Sequence, residues 1–380
     1  MAVEYRDGNR RPDLDGLRGV AVLLTIFLHY VVKSGYFDNL GPLPLTLFLN
    51  SLWSGVDIFF VLSGFLIGGI ILEHGVAGNF AGVFYLRRAL RILPVALLVI
   101  ALSYLVVPLL DPTNLHRTRV PPYSYLLFIN NYWTASGFIG YRPLDPLWSL
   151  AIEEQFYLIA PAFFLLASAR VRNVTLVLIV LMSPFLRAFT AKYSPWDFTP
   201  FRLDGFAAGM LVAILIRDPR FSSWRQNADR ALRLAVLGVL SIAVLFAVSP
   251  QLDQDRIAFG VSMNSLVAAG VILLLQMNPG SMLSRSLSQL WLTATGRLSY
   301  FLYLAHIPIL ICVTAISGKR LGMLTPVIAL AICLMCAWLS WQFLESRVIA
   351  IGKRYAYQDG VVRMKSMNAR SGAGTRRRPG

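Results

Sequence analysis

The chain is poor in charge. Of its 380 residues only 14% are Asp, Glu, Lys or Arg, and just 19 are acidic, where a soluble domain carries about 25% charged residues. With 56% hydrophobic residues and a mean hydropathy of +0.61, a water-soluble globule is excluded, and lipid is the solvent of this fold. Cysteine is scarce too. Cys312, Cys333 and Cys336 all fall in apolar runs, where a thiol behaves as a small hydrophobe. The Cys333/Cys336 spacing lies mid-helix without a redox pattern around it, so packing accounts for it. There are four histidines, His29, His74, His116 and His306, and no metal is expected. A signal-peptide cleavage site is missing as well: the first apolar run follows Arg10, Arg11 and Arg18 but carries His29, and reads as a retained span. The net charge of +16 would suggest nucleic acid in a soluble protein. Here the cations sit between and beyond apolar segments, no nucleic-acid motif is present, and membrane topology explains them better.

What the chain does have is long apolar runs. Spanning takes about 17–25 mainly apolar residues, and ten stretches qualify: 17–33, 46–72, 92–110, 147–168, 173–190, 201–216, 232–249, 258–276, 297–316 and 322–345. The stretch 121–133 is apolar but short and polar at its end, and is expected to be re-entrant or interfacial. The fold class is therefore an all-α integral membrane protein with about ten transmembrane helices. Ten spans put both termini on one side, and 25 of the 35 lysines and arginines fall on that side, which predicts cytoplasmic termini. The division is a cytoplasmic arm over 1–16, a membrane domain over 17–350 and a basic tail over 351–380. The tail is too polar to fold alone and is attracted to anionic lipid.

Ionisable groups inside a bilayer cost free energy, so each is a functional candidate. His29 follows Arg18 by eleven residues. At 100° per residue that is three turns plus about 20°, which puts both on one helix face. The rise of about 16 Å sets the arginine at the cytoplasmic mouth and the imidazole near the midplane. Histidine is the side chain best poised to take a proton from a hydroxyl near neutral pH, although an interhelical packing histidine would show the same pattern. Asp57 is the only charge of the second span and is placed either to orient His29 or to stay neutral and buried. Ser63 and Gly64 follow as packing residues. Glu153 and Glu154 open the fourth span about 100° apart, so only one can face a pocket while the other meets headgroups. Arg202 and Asp204 open the sixth and can pair with each other. His306, two residues before Pro308, fits a site role or a helix bend equally. Arg87, Arg88 and Arg91 place three guanidiniums within five residues. Arg87 and Arg91 share a face, which suits phosphate oxygens, although composition alone favours plain positive-inside anchoring.

These pieces occur in a recognisable order: RPDLDGLRGVAVLLTIFLHY, GVDIFFVLSGFLI, FYLRRALRI, LWSLAIEEQFYL, FRLDGFAAGM, LSYFLYLAHIPI and FLES. Together, from about residue 10 to 350, they resemble acyltransferase family three, integral-membrane O-acyltransferases that modify lipopolysaccharide, exopolysaccharide, nodulation factors and some macrolides. The resemblance implies acyl-CoA, usually acetyl-CoA, as co-substrate. It implies His29 as the catalytic residue, Arg18 as the arginine ahead of it, and Arg87, Arg88 and Arg91 as the acyl-CoA-binding cluster. Glu153 matches the family glutamate better than Glu154. Where many members read Glu-Arg-Pro, this chain reads Glu345-Ser346-Arg347, which blurs any subgroup.

The expected function is transfer of an acyl group, acetyl by preference, to a hydroxyl of a carbohydrate or lipid-linked saccharide. The setting is a multi-pass protein of the bacterial cytoplasmic membrane. Asp57, Arg202, Asp204 and His306 are expected along the acceptor's route, with His29 and Glu153 at the chemistry. His29 could act as general base or as a transient acyl carrier. A macrolide-type acceptor, or a carrier of an acylated lipid or sugar, is the alternative. The only echo of an internal repeat is Leu14-Asp15-Gly16 against Leu203-Asp204-Gly205. The acceptor and the oligomeric state are not written in the chain.

Overall fold

The computed structural model describes residues 11–34, 43–190, 194–248, 253–318 and 320–358, which are helical apart from turns and short connections. Ten helices form the body: α1 Pro12–Phe27, α2 Gly55–His74, α3 Phe80–Leu110, α4 Leu147–Leu166, α5 Ala169–Phe189, α6 Leu203–Leu215, α7 Phe221–Val248, α8 Asp253–Met277, α9 Leu290–Ser317 and α10 Leu324–Ser340. Wide π-turns extend two of them, α1 through Leu28–Val32 and α10 through Trp341–Glu345 into the helix Ser346–Lys353. Among the described residues nine helices are long and apolar enough to cross a membrane, and α6 is apolar but has only 13 residues.

Short as it is, α6 reaches from one face to the other. Just before its first turn Arg202 pairs with Asp57 at the start of α2, and just after its last Arg217 pairs with Glu73 at the end of α2. The two helices run parallel and nearly touch. A Cβ at Gly64 would overlap the Phe206 backbone, and one at Gly209 the backbone of Val61. Gly64 therefore packs as its sequence suggests. Thirteen residues rise only about 20 Å, and α6 is enclosed by α2, α5 and α8. The helices alternate in direction, so Arg11 and Tyr357 share one face, the proximal face. His29 lies toward the opposite, distal face.

The closest seam joins α1 to α9 and the turn before it. A Cβ at Gly16 would overlap the Leu287 carbonyl, and one at Gly296 the Asp15 carbonyl. This seam fixes the spacing of two helices that carry His29 and His306. Overpacking a filled core costs about 1–3 kcal/mol, so Gly296→Val is expected to lower the thermal unfolding midpoint in detergent clearly. An unchanged midpoint would mean the helices separate at little cost.

Several boundaries move. α1 starts at Pro12 rather than 17, with proline at its first position and Asp13 and Asp15 in its first turn, all favourable at a helix N-terminus. Of the arm, residues 1–10 lie outside the described residues. α3 starts at Phe80 rather than 92, so Arg87, Arg88 and Arg91 belong to the helix and not to a loop. The stretch 121–133 does not cross. It forms two short helices, Pro122–Leu126 and Asn130–Ala135, held when Gln155 donates to the Phe128 carbonyl (2.8 Å) and Asn131 donates to Thr199 Oγ1 (2.8 Å). The tail begins later than 351. Helix persists to Lys353, and residues 354–358 dock back on the proximal face. There Arg87 donates to the Tyr355 carbonyl (3.0 Å), and the Tyr357 ring stacks on His74 at 4.4 Å. The rest of the tail, 359–380, lies outside the described residues.

Candidate active site

Two cavities open at opposite ends of the same helices. The proximal cavity has a volume of about 560 Å³ and is walled by α1, α2, α3, α9 and the end of α10. Arg18, Arg87, Arg88 and Arg91 all line it, so the four arginines singled out in the sequence share one wall. Arg11, Arg217, Arg297 and Lys353 join them, against the carboxylates of Asp15 and Glu73. Arg18 sits beside Asp15 (3.3 Å), Arg217 pairs with Glu73, and Arg88 lies over the Tyr157 ring at 5.6 Å. Cations remain in excess, and the volume lies in the usual range for ligand sites, about 300–1,000 Å³.

The distal cavity, about 260 Å³, is lined by His29, His306, Thr25, Tyr303, Lys33, Asp145, Asp197 and three tryptophans, Trp53, Trp148 and Trp196. His29 lies in the π-turn that ends α1, one turn from the end of the span rather than near its middle. Such wide turns recur at functional sites. In this one Lys33 N bonds to the Leu28 carbonyl (2.8 Å), and the His29 ring folds back so that Nδ1 lies 2.9 Å from the Thr25 carbonyl. His306 is fully buried, its Nδ1 2.7 Å from the Tyr303 carbonyl and its Nε2 3.3 Å from His29 Nδ1.

These contacts assign the protons. A carbonyl oxygen only accepts, so Nδ1 of both rings must carry hydrogen. His306 Nε2 is then an acceptor that shares the His29 Nδ1 proton with the Thr25 carbonyl. His29 Nε2 is left with a bare lone pair and no hydrogen-bond partner among the described residues. A hydroxyl in the cavity can give its proton to that nitrogen, and the imidazolium so formed keeps both acceptors at Nδ1.

The carboxylates of the cavity come from loops. Burial pushes Asp197 up from 3.8 to about 6, opposed by a hydrogen bond from Thr134 and by the Arg202 charge. Burial also drives Asp145 upward, against the pull of Arg142, an effect moderated because the residue is exposed. An acid that binds its proton more tightly folded than unfolded lends stability at low pH and loses it as pH rises. For Asp197 that window runs from about pH 4 to about pH 6. Asp197→Asn is expected to flatten the fall of the thermal midpoint across this window, relative to the parent chain. Parallel curves would place the Asp197 carboxyl in open solvent.

The other expected site residues lie elsewhere. Asp57 does not reach His29: it accepts from Arg202 (2.6 Å) and Asn264 (3.3 Å), while backbone carbonyls orient the imidazole. Arg202 and Asp204 do not pair with each other. Asp204 bonds Arg187 (3.0 Å) and Ser262, and Arg187 also donates to the Ala258 and Phe201 carbonyls. All four charges of these two pairs are almost fully buried, and none of them lines either cavity. They touch the distal cavity indirectly, because the Arg202 guanidinium lies over Trp148 at 5.6 Å. Glu153 is off both cavity walls. Ser63 donates to it (3.1 Å), so that serine does more than pack, and the Tyr157 hydroxyl stands 3.1 Å from it. Glu154 is half-buried, and its Oε1 is turned inward, buried without a hydrogen-bond partner.

Sequence reasoning missed Lys33, Asp145, Asp197 and the tryptophans because each sits in or beside a connection. All, however, flank span ends on the His29 side, and laying out the ten spans would have gathered them. Arg187 was missed although it is a charge within the fifth span, the pattern that singled out Asp57.

The chain matches the family model described as an acyltransferase domain over residues 11–344. YrhL of Bacillus subtilis (strain 168) is 31% identical to it, covering 90% of this chain and 55% of the relative. The O-acetyltransferase OatA of Staphylococcus aureus is 28% identical, covering 91% and 58%. The peptidoglycan O-acetyltransferase OatA of Listeria monocytogenes is 29% identical, covering 89% and 55%. The chain thus spans little more than half the length of these curated relatives, and no solved structure matches it. With the match running from the start of α1 to the last turns of α10, the chain belongs to this acyltransferase family.

Proposed function

We propose that the chain is a membrane O-acetyltransferase that takes its acyl group from acyl-CoA and delivers it to a carbohydrate hydroxyl. The observation that carries this reading is the pairing of the two cavities. Arginines gather at one end of α1, and a bare imidazole nitrogen faces tryptophans and carboxylates at the other. Guanidinium forks suit the phosphates of the donor. Flat indole rings and carboxylate acceptors suit the faces and hydroxyls of a sugar ring, in keeping with relatives whose names specify peptidoglycan. The excess of cations on the proximal side supports a cytoplasmic proximal face in a bacterial inner membrane, with the acceptor entering from the distal side.

In the reaction, the acceptor hydroxyl gives its proton to His29 Nε2 while its oxygen attacks the thioester carbonyl. The C–O bond forms, the C–S bond breaks, and the leaving thiolate takes the proton from Nε2. Glu153 stands outside this step.

The test is transfer of labelled acetyl from acetyl-CoA in proteoliposomes, with peptidoglycan fragments, other saccharides and a macrolide as acceptors. Labelled saccharide is the expected product. Movement of an acylated substrate across the bilayer without transfer would instead make the chain a carrier. Arg91→Gln is expected to weaken acetyl-CoA binding about tenfold at low salt, since a hydrogen bond to a charged group contributes about 1.5–3 kcal/mol. The loss shrinks as salt screens the cavity. Unaltered affinity would return the arginine to a topological role.

A further inference from the structure

A wall separates the two cavities. On α1 the distal cavity ends at Thr25 and the proximal one begins at Arg18, which is about 10 Å of helix rise. On α9 the corresponding limits are Tyr303 and Arg297, about 9 Å apart. On α2 they are Val56 and Phe65, and Ser63 falls between them. Within this stretch Ser63, Glu153 and Tyr157 form a closed polar cluster. Ser63 donates to Glu153 Oε1 (3.1 Å), and the Tyr157 hydroxyl lies 3.1 Å from Glu153 Oε2 and 3.0 Å from Ser63 Oγ.

The cluster is short of donors. Two hydroxyl protons serve three oxygen contacts, and a carboxylate has about four acceptor positions. Glu154, the next residue, keeps Oε1 buried and unpaired. Ser63 and Glu153 are only half-buried, so an arriving donor can reach the unfilled acceptor positions, and a buried acceptor such as Glu154 Oε1 is costly until one does. The pantetheine arm that must bridge the cavities carries such donors, as two amide N–H groups and a hydroxyl.

We propose that the Ser63–Glu153–Tyr157 cluster is the binding station for the amide groups of the donor's pantetheine arm where it crosses from the arginine cavity to His29. This rests on the acyl-CoA reading. An arm amide donates to Glu153, its carbonyl accepts from Tyr157 or Ser63, and the thioester is thereby set at the depth of His29. Glu153 is a binding residue for the donor and not a partner of the acceptor.

Two ligands separate the arm from the nucleotide: acetyl-CoA, and adenosine 3′,5′-bisphosphate, which lacks the arm. Their affinities are measured on the full chain in nanodiscs, with Glu153→Leu beside the parent. The parent is expected to bind acetyl-CoA more tightly than the bisphosphate. Glu153→Leu should lower acetyl-CoA affinity about tenfold, the size of one charge-assisted hydrogen bond, and leave the bisphosphate unchanged. Ser63 and Tyr157 can still bond each other in that variant. Should it fail to fold, Glu153→Gln, which keeps the shape, carries the same comparison. Equal losses for both ligands, or no loss for either, would overturn the station while leaving acyl-CoA as donor. A parent chain that binds neither ligand would overturn the acyl-CoA reading itself, and the station with it.

Discussion

Replacing His29 with alanine is expected to lower acetyl transfer by about 10²–10⁴-fold, the usual contribution of a positioned general base. Membrane insertion, abundance and acetyl-CoA binding should stay near normal, because the arginine cavity lies about 16 Å away along α1. Glutamine at the same position is the sharper test. Its amide N–H can still reach the Thr25 carbonyl, and so satisfies the contact that now holds Nδ1 at 2.9 Å. It offers no lone pair basic enough to take a proton near neutral pH. If the imidazole only packs between α1 and α9, glutamine restores function. If Nε2 is the base, the glutamine variant is as inactive as alanine. A folded His29→Gln chain that retained more than about a tenth of the parent rate would remove His29 from the chemistry.

Asp57→Ala is expected to destabilise the fold by about 3–5 kcal/mol, the typical result of stripping one partner from a buried ion pair. The reason lies in Arg202. Its side chain has no solvent exposure, and its Nε and Nη1 already lack partners. Asp57 Oδ1, 2.6 Å from Nη2, is the counter-charge that keeps it there. Removing both charges at once behaves differently, because apolar groups of similar volume can replace a buried pair at little cost. Asp57→Leu combined with Arg202→Met should therefore recover most of the thermal midpoint lost in Asp57→Ala. The double variant should still bind acceptor less well, since Trp148 loses the guanidinium above its ring. A double variant as unstable as the single one would show that the pair matters for something other than mutual neutralisation.

What was legible in the sequence was whatever repeats along one helix. The apolar lengths found the nine helices that, among the described residues, are long enough to cross, and also α6, although its 13 residues fall short of a standard span. Three turns of arithmetic placed Arg18 and His29 on one face, and each lines its own cavity. The guanidiniums at 87, 88 and 91 were visible as a cluster, although the window that found the span stopped at them and the helix did not. What could not be read was partnership between helices. Asp57 meets a residue 145 positions away and Arg187 one 17 positions away on the next helix. No local periodicity contains either choice, so pairing Arg202 with its near neighbour Asp204 was reasonable and incorrect. The role of His306 was hidden for the same reason. Its ionisable ring was evident, but its register against α1 is set by glycines on both helices.

That register has a consequence in time. His29 and His306 lie 277 positions apart, on α1 and α9. At about 5–20 residues per second, roughly 15–55 s separate their synthesis. Throughout that interval α1 waits in the bilayer with the glycine face that will meet α9 still uncovered, and its imidazole lacks the ring that shares its proton. The His29–His306 contact is therefore a late product of biogenesis. A chain that stops before α9 would still carry the His29 ring on α1, but without the His306 acceptor 3.3 Å from its Nδ1.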